Sequence, residues 1–277
     1  MYKALKTWVF RESIMKYVLV TGAAGGMGRA TVLRLQGLGY TVFALDKTAC
    51  EEKEGVIPLC ADLTVKEEIK AAFDTVASLT DRLDAIVHFA GIYLLDSFVE
   101  IDAAKLKRAF EINLFGAIEV NRVFLPLLKQ GSRIVITTSE LAPLDPLPFT
   151  GIYAVTKASL DRYAFSLAME LQLLGITVSV LRAGAVDTGM LGVSTAALER
   201  FCESTSLYTC NADRFRNIVN RVEARSVKPS RVAEKVGKIL MRRKPRFAYA
   251  INRNPLLLLL HLLPKGLQLR IIRGILR

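Results

Sequence analysis

Hydrophobic residues follow two spacings along the chain. In short segments they are consecutive, which is typical of a buried strand, and in longer segments they recur every three or four positions, which is typical of an amphipathic helix. Strands are predicted at 16–21, 41–46, within 56–63, and at 84–91, 132–139, 176–184 and 246–251. Helices are predicted at 28–39, 65–79, 102–129, 151–175 and about 230–241.

Strands that alternate with single helices predict a fold of the α/β class. Each helix crosses from one strand to the next in a right-handed sense, which makes the strands parallel and covers both faces of the sheet. We therefore expect one doubly wound, Rossmann-type parallel sheet of about seven strands with helices on both faces.

The same pattern divides the chain into three parts. Residues 1–15 are predicted to be an N-terminal extension, because Met15 directly precedes the first strand and is a candidate for the original start. The Rossmann-type domain is predicted to span 16–253 and to include a polar, irregular substrate lid near 188–225. Residues 254–277 form a basic, apolar C-terminal tail.

Composition and charge narrow the classes of function. The 277 residues are 52% hydrophobic, which allows a large core and argues against disorder. The net charge of +12 is concentrated near the C-terminus, where residues 225–277 hold 14 basic residues and one acid, Glu234. Because no segment matches a nucleic-acid-binding module, we expect no nucleic-acid partner.

Cysteines and histidines give no sign of a metal or a disulfide framework. The four cysteines lack the spacing of a zinc or redox motif and are expected to be reduced thiols of a cytoplasmic protein. His88 and His261 lie in no metal-binding pattern, so no metal is predicted. The first residues contain no apolar stretch typical of a secretory signal.

A glycine-rich turn follows the first predicted strand. Gly22, Gly26 and Gly28 would let a pyrophosphate approach the backbone at the N-terminal end of a helix, where the helix dipole favours an anion. The turn therefore predicts a dinucleotide-binding site.

Asp46 indicates which dinucleotide. It ends the second strand, where a carboxylate would hydrogen-bond the ribose hydroxyls of NAD and repel the additional phosphate of NADP. NAD is the expected cofactor. Two nearby cations, Lys47 and Arg29, leave NADP open.

Tyr153 and Lys157 are four residues apart in a predicted helix, so both side chains lie on one face. A tyrosine pKa of about 10 is too high for a base at neutral pH unless a neighbouring charge stabilises the phenolate. The lysine ammonium, together with the positive ring of a bound nicotinamide, would do so. The pair predicts a general acid/base.

An ordered series of motifs runs from about Lys16 to Thr188: TGAAGGMG (21–28), ADL (61–63), HFAG (88–91), EINLFG (111–116), TTS (137–139), YAVTK (153–157) and AGAVDT (183–188). In these motifs the chain resembles the short-chain dehydrogenase/reductase family, in a hydroxysteroid dehydrogenase-like form. The resemblance implies a nicotinamide-dependent enzyme that forms a homodimer or homotetramer.

The resemblance also implies a role for each matching residue. Tyr153 would be the general acid/base, Lys157 would lower its pKa and hold the nicotinamide ribose, and Ser139 would hydrogen-bond the substrate oxygen. Asn113 would position a water between Lys157 and bulk solvent. Cofactor contacts would come from Tyr153, Lys157, the three glycines and Asp46, and also from Met27, Asp62, Leu63, Ala90, Gly91, Val186 and Thr188.

Two positions depart from the family pattern in residue type. His88 and Phe89 stand where two asparagines are usual, and this is expected to weaken hydrogen bonding around the strand. Ala183 stands where a proline is common and is expected to loosen the following turn.

A third departure concerns spacing. Ser139 precedes Tyr153 by one residue more than the family spacing, so Thr138 and Glu140 are alternatives to it in the site.

The loops at the carboxyl edge of the predicted sheet are apolar and include Leu141, Leu144, Leu147, Phe149, Met190 and Leu191. They favour a bulky lipophilic alcohol or ketone, such as a steroid, a retinoid or a lipid. The alternative is that these side chains only pack the lid.

The C-terminal tail has two interpretations. Its apolar run is too short for a membrane span, but its arginines and leucines suit the surface of an anionic membrane. Alternatively, the tail packs against the body of the protein or a partner subunit.

The expected activity is the interconversion of a secondary alcohol and a ketone on a lipophilic substrate, by hydride transfer with a nicotinamide cofactor. An NADPH-dependent reductase of acyl or acyl-lipid ketones is the first alternative. The second is a non-catalytic dinucleotide-sensing protein on the same fold, and the third is a membrane-binding module.

Overall fold

The structure, a computed structural model, describes residues 16–223 and 225–277, so the extension predicted at 1–15 lies outside this part. Within the described residues, seven strands form one sheet. They are β1 (Lys16–Thr21), β2 (Tyr40–Asp46), β3 (Val56–Cys60), β4 (Leu83–His88), β5 (Leu128–Ser139), β6 (Thr177–Ala183) and β7 (Ala248–Ile251).

The sheet is parallel throughout, in the order β3-β2-β1-β4-β5-β6-β7. The chain runs outward from β1 to β3 on one side and then returns to β4 on the other side of β1. This switch leaves a crevice at the carboxyl ends of β1 and β4, which is where open α/β sheets bind ligands. The doubly wound Rossmann-type fold predicted from the sequence is confirmed.

Helices cover both faces of the sheet and continue beyond it. They are α1 (Gly26–Gln36), α2 (Lys66–Leu79), α3 (Ala103–Phe110), α4 (Gly116–Phe124), α5 (Gly151–Leu171), α6 (Gly189–Ser204), α7 (Thr209–Glu223), α8 (Pro229–Met241), α9 (Pro255–Leu262) and α10 (Lys265–Leu276).

The two faces of the sheet bury separate hydrophobic layers. Successive strand residues point to opposite faces, so Leu19 packs in one layer while Val18 and Val20 pack in the other. The first layer includes Phe124 from α4, and the second includes Val236 from α8.

The helical segment predicted at 102–129 is not one continuous helix. α3 begins after Asp102, whose carboxylate accepts hydrogen bonds from two backbone N–H groups of the first turn. A single π-helical turn, Glu111–Phe115, joins α3 to α4. The segment ends in a 3₁₀ turn at Leu125–Leu127, where Pro126 cannot donate a helical hydrogen bond.

The irregular conformation predicted near 188–225 is wrong, because α6 and α7 occupy most of this segment. Their apolar side chains form a small core with the loops beside them: Leu95, Phe149, Ala197, Leu198, Phe201 and Phe215. The turn between the two helices is held by Glu100, which lies before α3. Its carboxylate accepts hydrogen bonds from Thr205 Oγ1 and from two backbone N–H groups of this turn. A few buried apolar side chains are thus enough to make this segment helical, although many of its residues are polar.

The C-terminal tail folds into α9 and α10 and packs on the domain. Asp145, in the loop between β5 and α5, accepts a hydrogen bond from the buried Gln268 at 3.0 Å and lies 2.9 Å from His261 Nδ1. Asn211 of α7 donates a hydrogen bond to the carbonyl oxygen of Leu276 at 2.7 Å. Among the described residues, none of the helices combines the length and hydrophobicity needed to span a bilayer.

Asp161 ties α5 to the strands beneath it. Its Oδ1 accepts hydrogen bonds from Thr138 Oγ1 at 3.1 Å and from Arg182 Nε at 3.0 Å, and its Oδ2 accepts from Arg182 Nη2 at 2.8 Å. The carboxylate is buried, so this paired, charge-assisted contact is strong and costly to break from one side.

Asp161→Ala is expected to lower the free energy of unfolding by about 3–5 kcal/mol, because it leaves the largely buried guanidinium of Arg182 without its partner. Urea denaturation measures this loss. The matched control is Asp74→Ala, which removes an exposed ion pair with Lys70 and should cost less than about 1 kcal/mol. Similar losses of unfolding free energy in the two variants would show that the Asp161–Arg182 pair is not a buried, stabilising contact.

Candidate active site

Two adjoining cavities lie at the carboxyl edge of the sheet. The larger, which we call the long cleft, has a volume of about 620 Å³ and passes over the turn between β1 and α1. The smaller, the inner cavity, has a volume of about 250 Å³ and mainly apolar walls. Five residues line both: Met27, Phe89, Gly91, Tyr93 and Thr188.

The structure brings the residues predicted from the sequence together around these cavities. The long cleft is lined by Gly22, Gly26, Met27, Gly28, Asp46, Asp62, Leu63, Ala90, Gly91 and Thr188. The inner cavity is lined by Ser139, Tyr153, Lys157 and Val186. Asn113 lines neither cavity and lies behind Gly91.

The floor of the long cleft has no room for side chains. Gly22 has a φ of +69°, and a Cβ there would lie 2.5 Å from the backbone nitrogen of Ala90. A Cβ at Gly28 would overlap the carbonyl oxygen of Gly22, and one at Gly26 would lie 2.7 Å from the Thr188 side chain. The glycines therefore let this turn pack closely against its neighbours, and the first turn of α1, whose free N–H groups suit an anion, lines the long cleft.

Asp46 is held in place by the backbone of the cleft. Its Oδ2 accepts a hydrogen bond from Ala24 N at 3.1 Å, and its Oδ1 accepts one from Thr48 N at 3.0 Å. Lys47 also lines the long cleft, whereas Arg29 lines a separate small cavity.

Asp62 is joined to a residue that the sequence analysis missed. Its Oδ1 accepts hydrogen bonds from the backbone N–H and the hydroxyl of Thr64, and its Oδ2 accepts one from Arg108 at 3.0 Å. These hydrogen bonds, chiefly those from Thr64, hold the pKa of Asp62 below its usual range. Arg108 lines the long cleft but lies in no sequence motif, since only the fold brings α3 beside the loop after β3.

Tyr153 and Lys157 lie on one face of α5, as their spacing predicts. The Tyr153 ring is partly exposed to the inner cavity, but its hydroxyl lies deep in the protein and is hydrogen-bonded to Ser139. Burial raises the pKa of Tyr153 to about 12, and the hydrogen bond with Ser139 only partly opposes the increase. The Lys157 Nζ lies 5.9 Å from the centre of the Tyr153 ring. Burial thus sets the direction of this shift, and the lowering of the Tyr153 pKa by Lys157 together with a bound nicotinamide stays a prediction.

Lys157 is a buried cation with weak hydrogen bonding. Its Nζ donates to the carbonyl oxygen of Thr137 at 3.4 Å, and burial lowers its pKa to about 8. A Cβ added at Gly91 would lie 3.2 Å from this nitrogen and 3.1 Å from Asn113 Oδ1. The glycine therefore keeps the passage from the long cleft to Lys157 free of side-chain atoms.

Asn113 lies in the π-helical turn, and its side chain holds the loop after β4. Its Oδ1 accepts a hydrogen bond from Ile92 N at 2.7 Å, while its Nδ2 donates to Ile92 O at 2.9 Å and to Thr156 Oγ1 at 3.0 Å. The water-positioning role implied by the family resemblance stays a prediction.

Three residues at the end of β5 are candidates for the hydrogen bond to the substrate oxygen, and their contacts differ. Ser139 is hydrogen-bonded to Tyr153, whereas Thr138 Oγ1 donates to Asp161 and the Glu140 carboxylate accepts from the backbone N–H of Asn254 at 2.6 Å. Ser139 therefore stays beside Tyr153, although the interval between them is one residue longer than in the family pattern.

His88 does not weaken hydrogen bonding around its strand, contrary to the expectation. Its Nδ1 lies 3.4 Å from Thr21 Oγ1 on β1, and its Nε2 lies 2.9 Å from Asn121 Oδ1 on α4. Burial lowers the pKa of His88 to about 4, so the ring is neutral at physiological pH and links strand to helix without a buried charge.

The turn after β6 is also not loosened by Ala183. The N–H of Gly184 donates to Ile251 O at 3.0 Å, and Asn252 Nδ2 donates to the carbonyl oxygens of Ala185 and Arg225, both at 2.8 Å. A Cβ at Gly184 would overlap the carbonyl oxygen of Asn252, so this turn is closely packed.

Only some of the predicted substrate contacts line the inner cavity. Leu141 and Leu147 do, whereas Leu144 lines a small neighbouring cavity and Phe149 is buried among α6 and α7. The side chains of two further candidates lie outside the described part of the structure, namely Met190 and Leu191.

The inner cavity has further walls that the sequence analysis missed. The Tyr93 ring lies 4.9 Å from that of Tyr153, Phe215 and Val219 come from α7, and Leu257 comes from α9. The helical spacing of apolar residues in 209–223 was a usable signal for α7. Nothing in the sequence links Leu257 to this cavity.

The chain is similar in sequence to a known protein family and to several known enzymes. Residues 16–199 match a family described as short chain dehydrogenase. The chain is similar to estradiol 17-beta-dehydrogenase 2 of Mus musculus, with 34% identity over 64% of this chain and 50% of the relative. It is also similar to 3-ketodihydrosphingosine reductase of Bacteroides thetaiotaomicron, with 22% identity over 83% of this chain and 85% of the relative.

A solved structure agrees with the fold. The crystal structure of a short chain dehydrogenase family protein from Francisella tularensis superposes with a TM-score of 0.72 and 25% identity, over 86% of this chain and 97% of that one. The chain spans about half the length of the mouse and rat estradiol dehydrogenases that it matches.

Lys157→Met is expected to increase the free energy of unfolding at neutral pH by about 1–3 kcal/mol, because it replaces a buried, poorly paired cation with an apolar side chain of similar length. Below pH 8 the wild-type protein bears the full cost of burying the ammonium. Between pH 8 and the ordinary pKa of about 10.4, the folded protein loses the proton while the unfolded chain keeps it, so wild-type stability rises.

The advantage of the Lys157→Met variant should therefore shrink from pH 7 to pH 10 in chemical denaturation experiments. Lys70→Met, at an exposed position, is the control and should show no such trend. A constant difference across this pH range would show that Lys157 is not a buried cation.

Proposed function

The chain belongs to the short-chain dehydrogenase family, and from this we propose that it is a nicotinamide-dependent oxidoreductase that interconverts a secondary alcohol and a ketone. One observation carries the proposal. Ser139 and Tyr153, which are hydrogen-bonded to each other, line an apolar cavity that directly adjoins the long cleft over the glycine-rich turn.

The long cleft suits NAD. Gly22, Gly26 and Gly28 leave the backbone accessible to the pyrophosphate, and the Asp46 carboxylate is positioned to accept hydrogen bonds from ribose hydroxyls. When bound, the nicotinamide would accept or supply the hydride. The negative charge of Asp46 favours NAD over NADP, although Lys47 lines the same cleft.

Tyr153 is the proposed source and acceptor of the proton. In the reducing direction its phenol would donate the proton to the substrate oxygen, while Ser139 donates a hydrogen bond to the same oxygen. In the oxidising direction the phenolate would accept the alcohol proton, and the Lys157 ammonium stabilises that negative charge. Because the pKa of Lys157 is about 8, this assistance weakens as the pH rises through 8.

The substrate is proposed to be lipophilic. Leu141, Leu147 and Phe215 line the inner cavity, and Glu140, the acid beside them, is engaged by the backbone of Asn254. The mouse relative is named for a steroid, estradiol. The alternative, reduction of an acyl-lipid ketone, is favoured by the similarity to a 3-ketodihydrosphingosine reductase.

We further propose that the protein forms a homodimer or homotetramer through α4 and α5. Large apolar side chains are exposed on and beside these helices, including Phe115, Phe165 and Met169. The tail is proposed to contact a membrane surface peripherally. The cytoplasmic location expected from the cysteines stays a prediction.

Tyr153→Phe is expected to reduce turnover by roughly 10²- to 10⁴-fold, because it removes the acid/base hydroxyl and keeps the ring. A panel of steroids, retinol and acyl ketones, with NADH fluorescence as the readout, measures turnover. Affinity for NADH, from fluorescence titration, should change little.

Tyr163→Phe is the matched control for this variant. Its hydroxyl accepts a hydrogen bond from Asn121 and lies outside both cavities, so turnover should be retained. Wild-type turnover in Tyr153→Phe would exclude the mechanism.

Asp46→Asn is expected to shift the ratio of NADP to NAD affinity by about tenfold toward NADP, which corresponds to about 1.4 kcal/mol, because it removes the charge that repels the additional phosphate. Titration with both cofactors measures the ratio. Glu51→Gln, which removes an exposed acid paired with Lys53, should leave the ratio unchanged. A wild-type protein that already prefers NADPH strongly would contradict the role given to Asp46.

A further inference from the structure

α9 has two faces with different surroundings. Leu257 lines the inner cavity, so one face of this helix is a wall of the proposed substrate site. On the other face, Leu256, Leu259 and Leu262 are 65%, 60% and 78% exposed. These three leucines, which we call the outer leucine face, recur every third residue and therefore lie along one side of the helix.

The outer leucine face is held in a fixed orientation. The backbone N–H of Asn254, which caps α9, donates to the buried carboxylate of Glu140, the residue next to Ser139. At the other end, Asp145 lies 2.9 Å from His261 and accepts a hydrogen bond from Gln268, and it forms an ion pair with Lys265. The leucines are thus presented outward by a docked helix whose other side faces the inner cavity.

The charged side chains of the tail itself are all positive. No aspartate or glutamate follows Glu234 in the chain, and the tail carries Lys265, Arg270, Arg273 and Arg277. Arg270 and Arg273 lie in α10 and Arg277 directly follows it; all three are exposed, and none of them forms a salt bridge with the residues that the structure describes. A tail that exposes both leucines and arginines suits binding to an anionic lipid surface, as amphipathic helices do.

We propose that the outer leucine face, together with Arg270, Arg273 and Arg277, docks this protein on an anionic bilayer, with α9 forming the partition between the lipid and the inner cavity. In this orientation a lipophilic substrate would reach the inner cavity from the membrane and not from water. The inference deepens the proposed function, since the lipophilic substrate is part of that proposal.

Vesicle flotation tests the charge contribution. We expect the full chain to float with vesicles of equimolar phosphatidylcholine and phosphatidylserine and to bind vesicles of phosphatidylcholine alone far less. The triple variant Arg270→Gln, Arg273→Gln and Arg277→Gln should lose roughly 100-fold in partition coefficient, because each basic residue near the surface contributes about 1 kcal/mol.

The matched control removes the same number of positive charges elsewhere. Arg242, Arg243 and Lys244 precede β7, whereas α9 follows it, so these three residues lie at the opposite edge of the parallel sheet. Their triple change to glutamine should leave the partition coefficient nearly unchanged. Equal losses in the two triple variants, or no binding by the wild type, would overturn the proposal.

Tryptophan quenching tests the orientation of α9. In a Trp8→Phe background, which removes the single native tryptophan, Leu259→Trp should be quenched by brominated phosphatidylcholine in the mixed vesicles. Leu79→Trp, at an exposed position just before β4 and therefore at the opposite edge of the sheet, should not be quenched.

Neither experiment requires turnover, so a failure of the proposed oxidoreductase activity would be distinguishable from a failure of membrane docking. If the outer leucine face instead binds a second copy of the chain, Leu256→Ser with Leu259→Ser would reduce the mass measured by light scattering and leave flotation unchanged. That result would also overturn the proposal.

Discussion

The hydrogen bonds of Asp161 with Thr138 and Arg182 are the constraint on which the rest of the site depends. Tyr153, Lys157 and Asp161 are spaced four residues apart on α5, so one face of this helix carries both groups of the site and the anchor. Because Ser139 directly follows Thr138, one buried carboxylate sets the separation of Tyr153 from Ser139. A small shift of α5 would break their hydrogen bond.

The site keeps ionisable groups in surroundings that favour their neutral forms. Burial raises the pKa of Tyr153 and lowers those of Lys157 and His88. Tyr153 and Lys157 line the inner cavity, where burial disfavours their charged forms. His88 avoids a buried charge, because its ring is neutral and contacts Thr21 and Asn121 through its two nitrogens. Perturbed pKa values of this kind concentrate at functional sites, because proton transfer needs groups whose charge is easily changed.

The C-terminal tail belongs to the site as much as to the surface. Glu140 and Asp145 follow β5 closely, and each binds a different part of the tail, so the loop that leads into α5 also positions α9 and α10. The inner cavity is therefore closed by residues from the middle and the end of the chain together. Its shape depends on how the tail docks.

The sequence by itself determined the sheet, its carboxyl-edge crevice, the glycine turn, Asp46 and the Tyr153–Lys157 pair, because each follows from periodicity or short-range spacing. It did not determine the π-helical turn at Asn113, the part played by Arg108 or the place of Leu257. Those depend on contacts between segments far apart in the chain, which local patterns do not encode. The direction of the Tyr153 pKa shift was likewise decided by the tertiary structure, since burial by the whole fold raises this pKa and the hydrogen bond with Ser139 only partly opposes the increase.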